Sequence, residues 1–191
     1  MSKTIFLIPG FKTQISDIRY HWLILYLQSK KYEVQPVPIT WKNQTVTQNA
    51  GEFLNFFQNN KSKNNYVFGF SYGAVIALMT AGVVKPKKLI LCSLSPDFKE
   101  DSELMPNWLK KYIGANRYID TKNRSAVKLA KSLEVETVIF CGEKESVDYP
   151  QLLKRCAETA KFVKNSQLIM VKDAPHDISF PTYQAAIKKV I

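Results

Sequence analysis

The chain has 191 residues, 46% of them apolar and 12% aromatic, the size and composition of one domain with a substantial core. Its formal net charge is +11, but the lysines stand in small scattered clusters at Lys61/Lys63, Lys85/Lys87/Lys88, Lys110/Lys111 and Lys188/Lys189. With no arginine-rich run and no basic–aromatic interleaving, that charge reads as a solvated surface and argues against a nucleic-acid binder.

The first nine residues carry only a short apolar run, Ile5 to Ile8 with Pro9 behind it. No small-residue cleavage site follows, and no stretch reaches the apolar length of a membrane span, so a soluble, unprocessed protein is expected. Lys3 to Ile8 reads as a buried strand, Pro9-Gly10-Phe11 as a turn, and residues 17–31 as a helix with Ile18, Trp22, Leu25 and Leu27 on its apolar face. Residues 33–39 form a short strand ending in prolines, and residues 47–60 a second helix buried through Phe53, Leu54, Phe56 and Phe57. Residues 64–70 are a strand. Residues 72–84 are a helix stopped at Lys85-Pro86, because proline restricts the residue before it and lacks a donor. Residues 88–93, 135–141 and 167–171 complete the strands, with helices at 125–132, 149–162 and 181–191. Cys92 and Cys141 fall in strands and Cys156 in a helix. An odd number of cysteines with no CxxC or Cys/His spacing points to a reducing, cytoplasmic compartment and to no structural metal.

Strand and helix alternate, and the strands are continuously apolar, as strands buried on both faces are. The expected architecture is α/β: a doubly wound, mostly parallel sheet of about six strands with helices on both faces. Residues 94–123 break the rhythm, showing no clear periodicity but carrying Leu104, Met105, Trp108, Leu109, Tyr112 and Ile113. A long insertion of this kind in a compact domain is usually functional.

Gly69-Phe70-Ser71-Tyr72-Gly73 sits between a strand and a helix. Average usage predicts about 0.06 accidental Gly-x-Ser-x-Gly strings in a chain of this length. Glycines two residues either side of a serine are what a tight strand-to-helix turn needs if side chains there would meet backbone. An activated serine also needs a base. Of the two histidines, His21 lies in the first helix and reads as a partly buried helix residue, whereas His176 follows the last strand in Ala174-Pro175-His176-Asp177.

With these residues placed, the chain resembles the α/β-hydrolase superfamily in its small single-domain form, over nearly its whole length and in order. It lacks the usual first antiparallel strands, since Ile5 to Ile8 already looks like the strand that carries the oxyanion loop. The resemblance implies a catalytic triad with Ser71 as nucleophile and His176 as base. Gly142-Glu143-Lys144-Glu145 stands where the family carries a Gly-x-x-Asp acid loop, so Glu145 ranks first as the acid, ahead of Asp148 and of Asp97 after the preceding strand. Pro9-Gly10-Phe11 stands for the family's His-Gly-x loop, so the oxyanion donors would be the amides of Phe11 and Tyr72. Residues 94–123 take the place of the family's cap, with Trp108, Leu109 and Tyr112 as candidate pocket walls. The implied activity is hydrolysis of an ester or thioester of a small to medium acyl group, on a small-molecule substrate and with no metal or organic cofactor. Two alternatives use the same residues: acyl transfer, and a binding module that keeps a residual triad.

Overall fold

The computed structural model describes residues 3–191; Met1 and Ser2, which open the N-terminal stretch read above for a leader, lie outside the described residues. Six parallel strands run β1 (Lys3–Ile8), β2 (Tyr32–Pro36), β3 (Asn64–Phe70), β4 (Lys88–Cys92), β5 (Glu136–Gly142) and β6 (Ser166–Val171), in the spatial order β2-β1-β3-β4-β5-β6. The chain steps outward from β1 to β2, returns across β1 to β3, and then proceeds to the other edge. The reversal between β1 and β3 opens a crevice beyond the carboxyl ends of those strands, the place where open α/β sheets hold ligands.

The continuous apolar runs follow from burial on both faces. Phe6, Ile8, Val67, Leu89, Leu91 and Ile139 pack under α2 (Val46–Asn60), α3 (Tyr72–Val84), α6 (Ala126–Lys131) and α8 (Pro150–Phe162). Their neighbours in sequence, Ile5, Leu7, Phe68, Ile90, Val138 and Phe140, point the other way and pack under α1 (Ile18–Ser29) and α9 (Pro181–Lys188). Helix α2 starts on a capping box, in which the Thr45 side chain accepts from the Gln48 amide and the Gln48 side chain accepts from the Thr45 amide. Among the described residues, no helix is long and apolar enough to cross a membrane.

Four expectations need correction. Helix α1 buries Tyr20, Leu23 and Leu27, while Ile18 and Leu25 are 84% and 55% exposed. Apolar residues surround this helix, so composition leaves its rotation open; the Tyr20 hydroxyl, which accepts from the Gly10 amide at 2.9 Å, sets it. His21 is exposed rather than partly buried. Glu143–Asp148, read as loop, forms a short helix, α7. The insertion is also ordered into α4 (Asn107–Ile113) and α5 (Ala115–Thr121), on either side of Gly114.

Buried polar contacts seat that insertion. Arg155 on α8 grips Asp101 with two hydrogen bonds, 2.9 and 2.7 Å, and Asp120 pairs with Arg124 while accepting from the Thr47 hydroxyl at 2.6 Å and the Thr47 amide at 3.1 Å. Arg117 donates to the Trp41 carbonyl and to Asn49 Oδ1. Each ion pair sits in a low-dielectric setting where losing one partner strands the other, so the segment is pinned rather than a free flap.

Candidate active site

Ser71 occupies the turn between β3 and α3 with φ 56° and ψ −118°, a conformation that costs a non-glycine residue on the order of 1–3 kcal/mol. The glycines flanking it answer to backbone contact. A Cβ on Gly69 would lie 2.3 Å from the Gly73 carbonyl oxygen, and one on Gly73 would lie 2.2 Å from that of Ile8. Since the obstructing atoms are backbone in the sheet and the elbow, they cannot give way cheaply. Gly73→Ala is therefore expected to destabilise the fold by about 3 kcal/mol or more, a fall of roughly 6–12 °C in melting temperature. Thermal denaturation followed by circular dichroism measures it, and an unchanged melting point would remove close packing as the reason for this glycine.

The Ser71 hydroxyl lies 3.0 Å from His176 Nε2 and 3.3 Å from the Ser95 hydroxyl. When Ser71 donates to a neutral imidazole, Ser95 is left to donate to Ser71. His176 stands on the loop after β6, its ring against that of Phe70 with centroids 4.9 Å apart and planes tilted by 33°. The loop is braced from within, where Asp177 Oδ1 accepts from the amide and hydroxyl of Ser179.

Of the three candidate acids, Glu145 is the one beside the imidazole: its Oε2 lies 3.7 Å from His176 Nδ1. It is 3% exposed, and Oε1 accepts from the Ser93 hydroxyl at 2.7 Å. Ser93 in turn lies 2.6 Å from the Tyr183 hydroxyl. One hydroxyl has one proton, so with Ser93 donating to the carboxylate, Tyr183 donates to Ser93. Oε2 has no hydrogen-bond partner among the described residues and is the oxygen turned to His176. Two features bring the start of α7 up to the loop that carries His176. The Lys144 amide donates to the Ala174 carbonyl at 3.1 Å, and a Cβ on Gly142 would lie 2.4 Å from that same oxygen.

Asp148 is exposed at the end of α7, at the cavity's edge. Asp97 is buried and faces elsewhere: its Oδ1 accepts from the Tyr72 hydroxyl at 3.0 Å. Burial pushes the Asp97 carboxyl up to about 6, opposed by Arg124 and by the Tyr72 hydroxyl. The Tyr72 phenol is pushed up in turn, chiefly by burial and then by Asp97.

Phe11 follows β1 and Tyr72 opens α3, and both line the cavity together with Ser71. Neither amide donates to a protein acceptor among the described residues. First-turn amides of a helix lack intrahelical acceptors, which leaves the Tyr72 N–H available to a ligand.

All of these groups open on one cavity of about 490 Å³, lined also by Trp108, Leu109 and Tyr112 from the insertion and by Tyr149 and Leu152 from α8 and its N-terminal edge. Met105 and Ile113 of the insertion are core, whereas Trp108 and Tyr112 are 63% and 49% exposed at its rim. Lys12 ties that rim to the loop after β1, its ammonium 4.3 Å from the centre of the Tyr112 ring. Ser93, Ser95 and Tyr183 belong to no motif legible in the sequence. Ser93 had one available signal, a serine directly after an apolar strand at the carboxyl end of the sheet, and Tyr183 had none.

No protein-family model and no curated protein matches this chain. Solved structures do. A lipase-esterase related protein from Clostridium acetobutylicum is similar over 98% of this chain and 93% of its own, with TM-score 0.72 and 18% identity. Alpha/beta hydrolase domain-containing protein 10 from mouse is similar over 100% and 88%, with TM-score 0.76 and 13% identity. Est1E from Butyrivibrio proteoclasticus, solved with ferulic acid bound, is similar over 98% and 86%, with TM-score 0.77 and 12% identity. At such identities the likeness speaks to the fold.

Proposed function

This chain has the α/β-hydrolase fold, and we propose that it works as a serine hydrolase, cleaving the ester or thioester of a small to medium acyl group through an acyl-enzyme. The observation that carries the reading is the contact of the Ser71 hydroxyl with His176 Nε2 at 3.0 Å, with the Glu145 carboxylate on the far side of the same ring.

In the proposed reaction Ser71 Oγ attacks the acyl carbon as its proton passes to His176 Nε2. The carbonyl oxygen takes up the negative charge and is met by the Phe11 and Tyr72 amides. His176 then gives its proton to the departing alcohol or thiol as that bond breaks. Water repeats the sequence: His176 takes its proton, the hydroxide oxygen joins the acyl carbon, and Ser71 leaves with the proton returned. Glu145 holds the imidazole with Nδ1–H toward it and offsets the charge of the imidazolium. The 3.7 Å separation in the resting site is longer than a hydrogen bond, and such contacts tighten when the imidazolium forms.

Cavity size supports short to medium acyl groups, since a short, pinned insertion leaves the mouth open rather than enclosing a long chain. The test has two parts. A fluorophosphonate should add to the protein, with the adduct mapped by peptide mass spectrometry to Ser71. Rates on p-nitrophenyl esters from acetate to palmitate should peak at short or medium length, and Trp108→Ala should shift the peak. Folded protein that takes no label would favour a binding module, and a rate rising steadily to palmitate would overturn the acyl-length reading.

A further inference from the structure

The reaction above leaves one buried carboxylate of the cavity unused. Asp97 is 1% exposed and lines the same cavity as Ser71 and His176. Its Oδ1 accepts from the Tyr72 hydroxyl and its backbone carbonyl accepts from Arg124 Nε, both at 3.0 Å. No hydrogen bond or ion pair among the described residues reaches Oδ2. Of the nearby cations, Arg124 pairs with Asp120 at 2.5 Å, while Arg117 donates to Trp41 and Asn49 through Nη2 and has no partner at Nη1 among the described residues. A carboxylate oxygen with so little room for water gains most from a donor that a ligand brings into the cavity, since hydrogen bonds to a charged acceptor are among the stronger ones.

Two features say which donor. The cavity walls carry Phe11, Phe70, Tyr72, Trp108, Tyr112 and Tyr149, faces suited to a flat ring. The cavity wall sets Lys12 and Arg19 against Glu145 and Asp148, and the cations that act on Asp97 itself are Arg124, whose Nε donates to its carbonyl, and Arg117, whose guanidinium lies 4.6 Å over the Phe11 ring. An ammonium group would meet that charge, whereas a neutral hydroxyl would not.

We propose that the cavity takes a substrate whose ring bears a neutral hydroxyl, which donates to Asp97 Oδ2 while the aromatic walls hold the ring. The proposal rests on the hydrolase reading for what becomes of the ester; recognition itself needs no turnover, so the test is one of binding.

Calorimetric titration with 4-ethylphenol, its methyl ether 4-ethylanisole, and the cationic 4-ethylbenzylamine reads the donor directly. The phenol should bind at least about tenfold more tightly than the ether, as for a hydrogen bond to a charged acceptor, and the amine no more tightly than the ether. Asp97→Leu should bring phenol and ether to within about twofold, while Tyr72→Phe should keep the preference, since the acceptor remains. Equal binding of phenol and ether to the wild type overturns the proposal, as does a preference that survives Asp97→Leu or a tightest-binding amine. Should Asp97→Leu not fold, the three ligands on wild-type protein still decide. A protein that prefers the phenol but takes no fluorophosphonate at Ser71 would lose the hydrolase reading and keep this one; labelled protein indifferent to the hydroxyl would do the reverse.

Discussion

Ser71→Ala should lower kcat on a short-chain p-nitrophenyl ester by about 10⁶, and His176→Ala by a similar amount. In the proposed reaction the hydroxyl and the imidazole, 3.0 Å apart, act on one proton, so removing either leaves the other without its task. The double variant should accordingly be no slower than either single one. Stability separates this loss from misfolding. Ser71 contributes no capping bond to α3, and alanine meets the same φ of 56° without a new clash, so the melting temperature should stay near that of the wild type. Stopped assays at high enzyme concentration would measure the residual rate. If Ser71→Ala kept even a tenth of wild-type turnover, the nucleophile would lie elsewhere, and Ser95, 3.3 Å away, would be the next serine to replace.

Glu145→Gln should cost up to about 10⁴ in kcat, because an amide can present its N–H to His176 and hold the wrong tautomer. Asp148→Asn should change little, since that side chain is exposed at the end of α7, and Asp97→Asn should lose less than Glu145→Gln because Asp97 is bonded to Tyr72 instead. Ser93→Ala removes the donor to Oε1 at 2.7 Å and lets the carboxylate turn from the ring. A loss of about 10- to 100-fold is expected, the worth of a hydrogen bond to a charged group. Steady-state kinetics on the four variants ranks them; a larger loss for Asp97→Asn than for Glu145→Gln would move the acid to the end of β4.

Much of the framework can be read in the chain because buried parallel strands and amphipathic helices obey short-range patterns. The four apolar residues Ile5 to Ile8 of β1 read as a strand covered on both sides, and the glycines at 69 and 73 mark a turn too tight for side chains. Helix α5 defeats the same reasoning. Its buried residues are Arg117, Asp120 and Thr121, while Ile119 is 60% exposed, so its hydrophobic pattern is inverted and its stability comes from partners on Asn49, Thr47 and Arg124 that no local window contains. Helix α1 fails for the opposite cause, being apolar on every side.

What the sequence determined by itself is therefore the order of the elements, the elbow at Ser71 and the histidine loop after β6, each encoded within a few neighbouring residues by sterics and hydrophobic period. Which carboxylate meets that histidine was a tertiary decision. Glu145 and Asp148 sit in α7 and Asp97 in the segment after β4, all at the same end of the sheet, and their spacing along the chain does not rank them by distance. The ranking comes from the close approach of Gly142 to the Ala174 carbonyl, the Lys144 amide bond to that oxygen, and the Ser93 and Tyr183 hydroxyls behind the carboxylate. Those contacts join residues from β4, β5, the β6 loop and α9, and exist only once the sheet has brought four separate segments together.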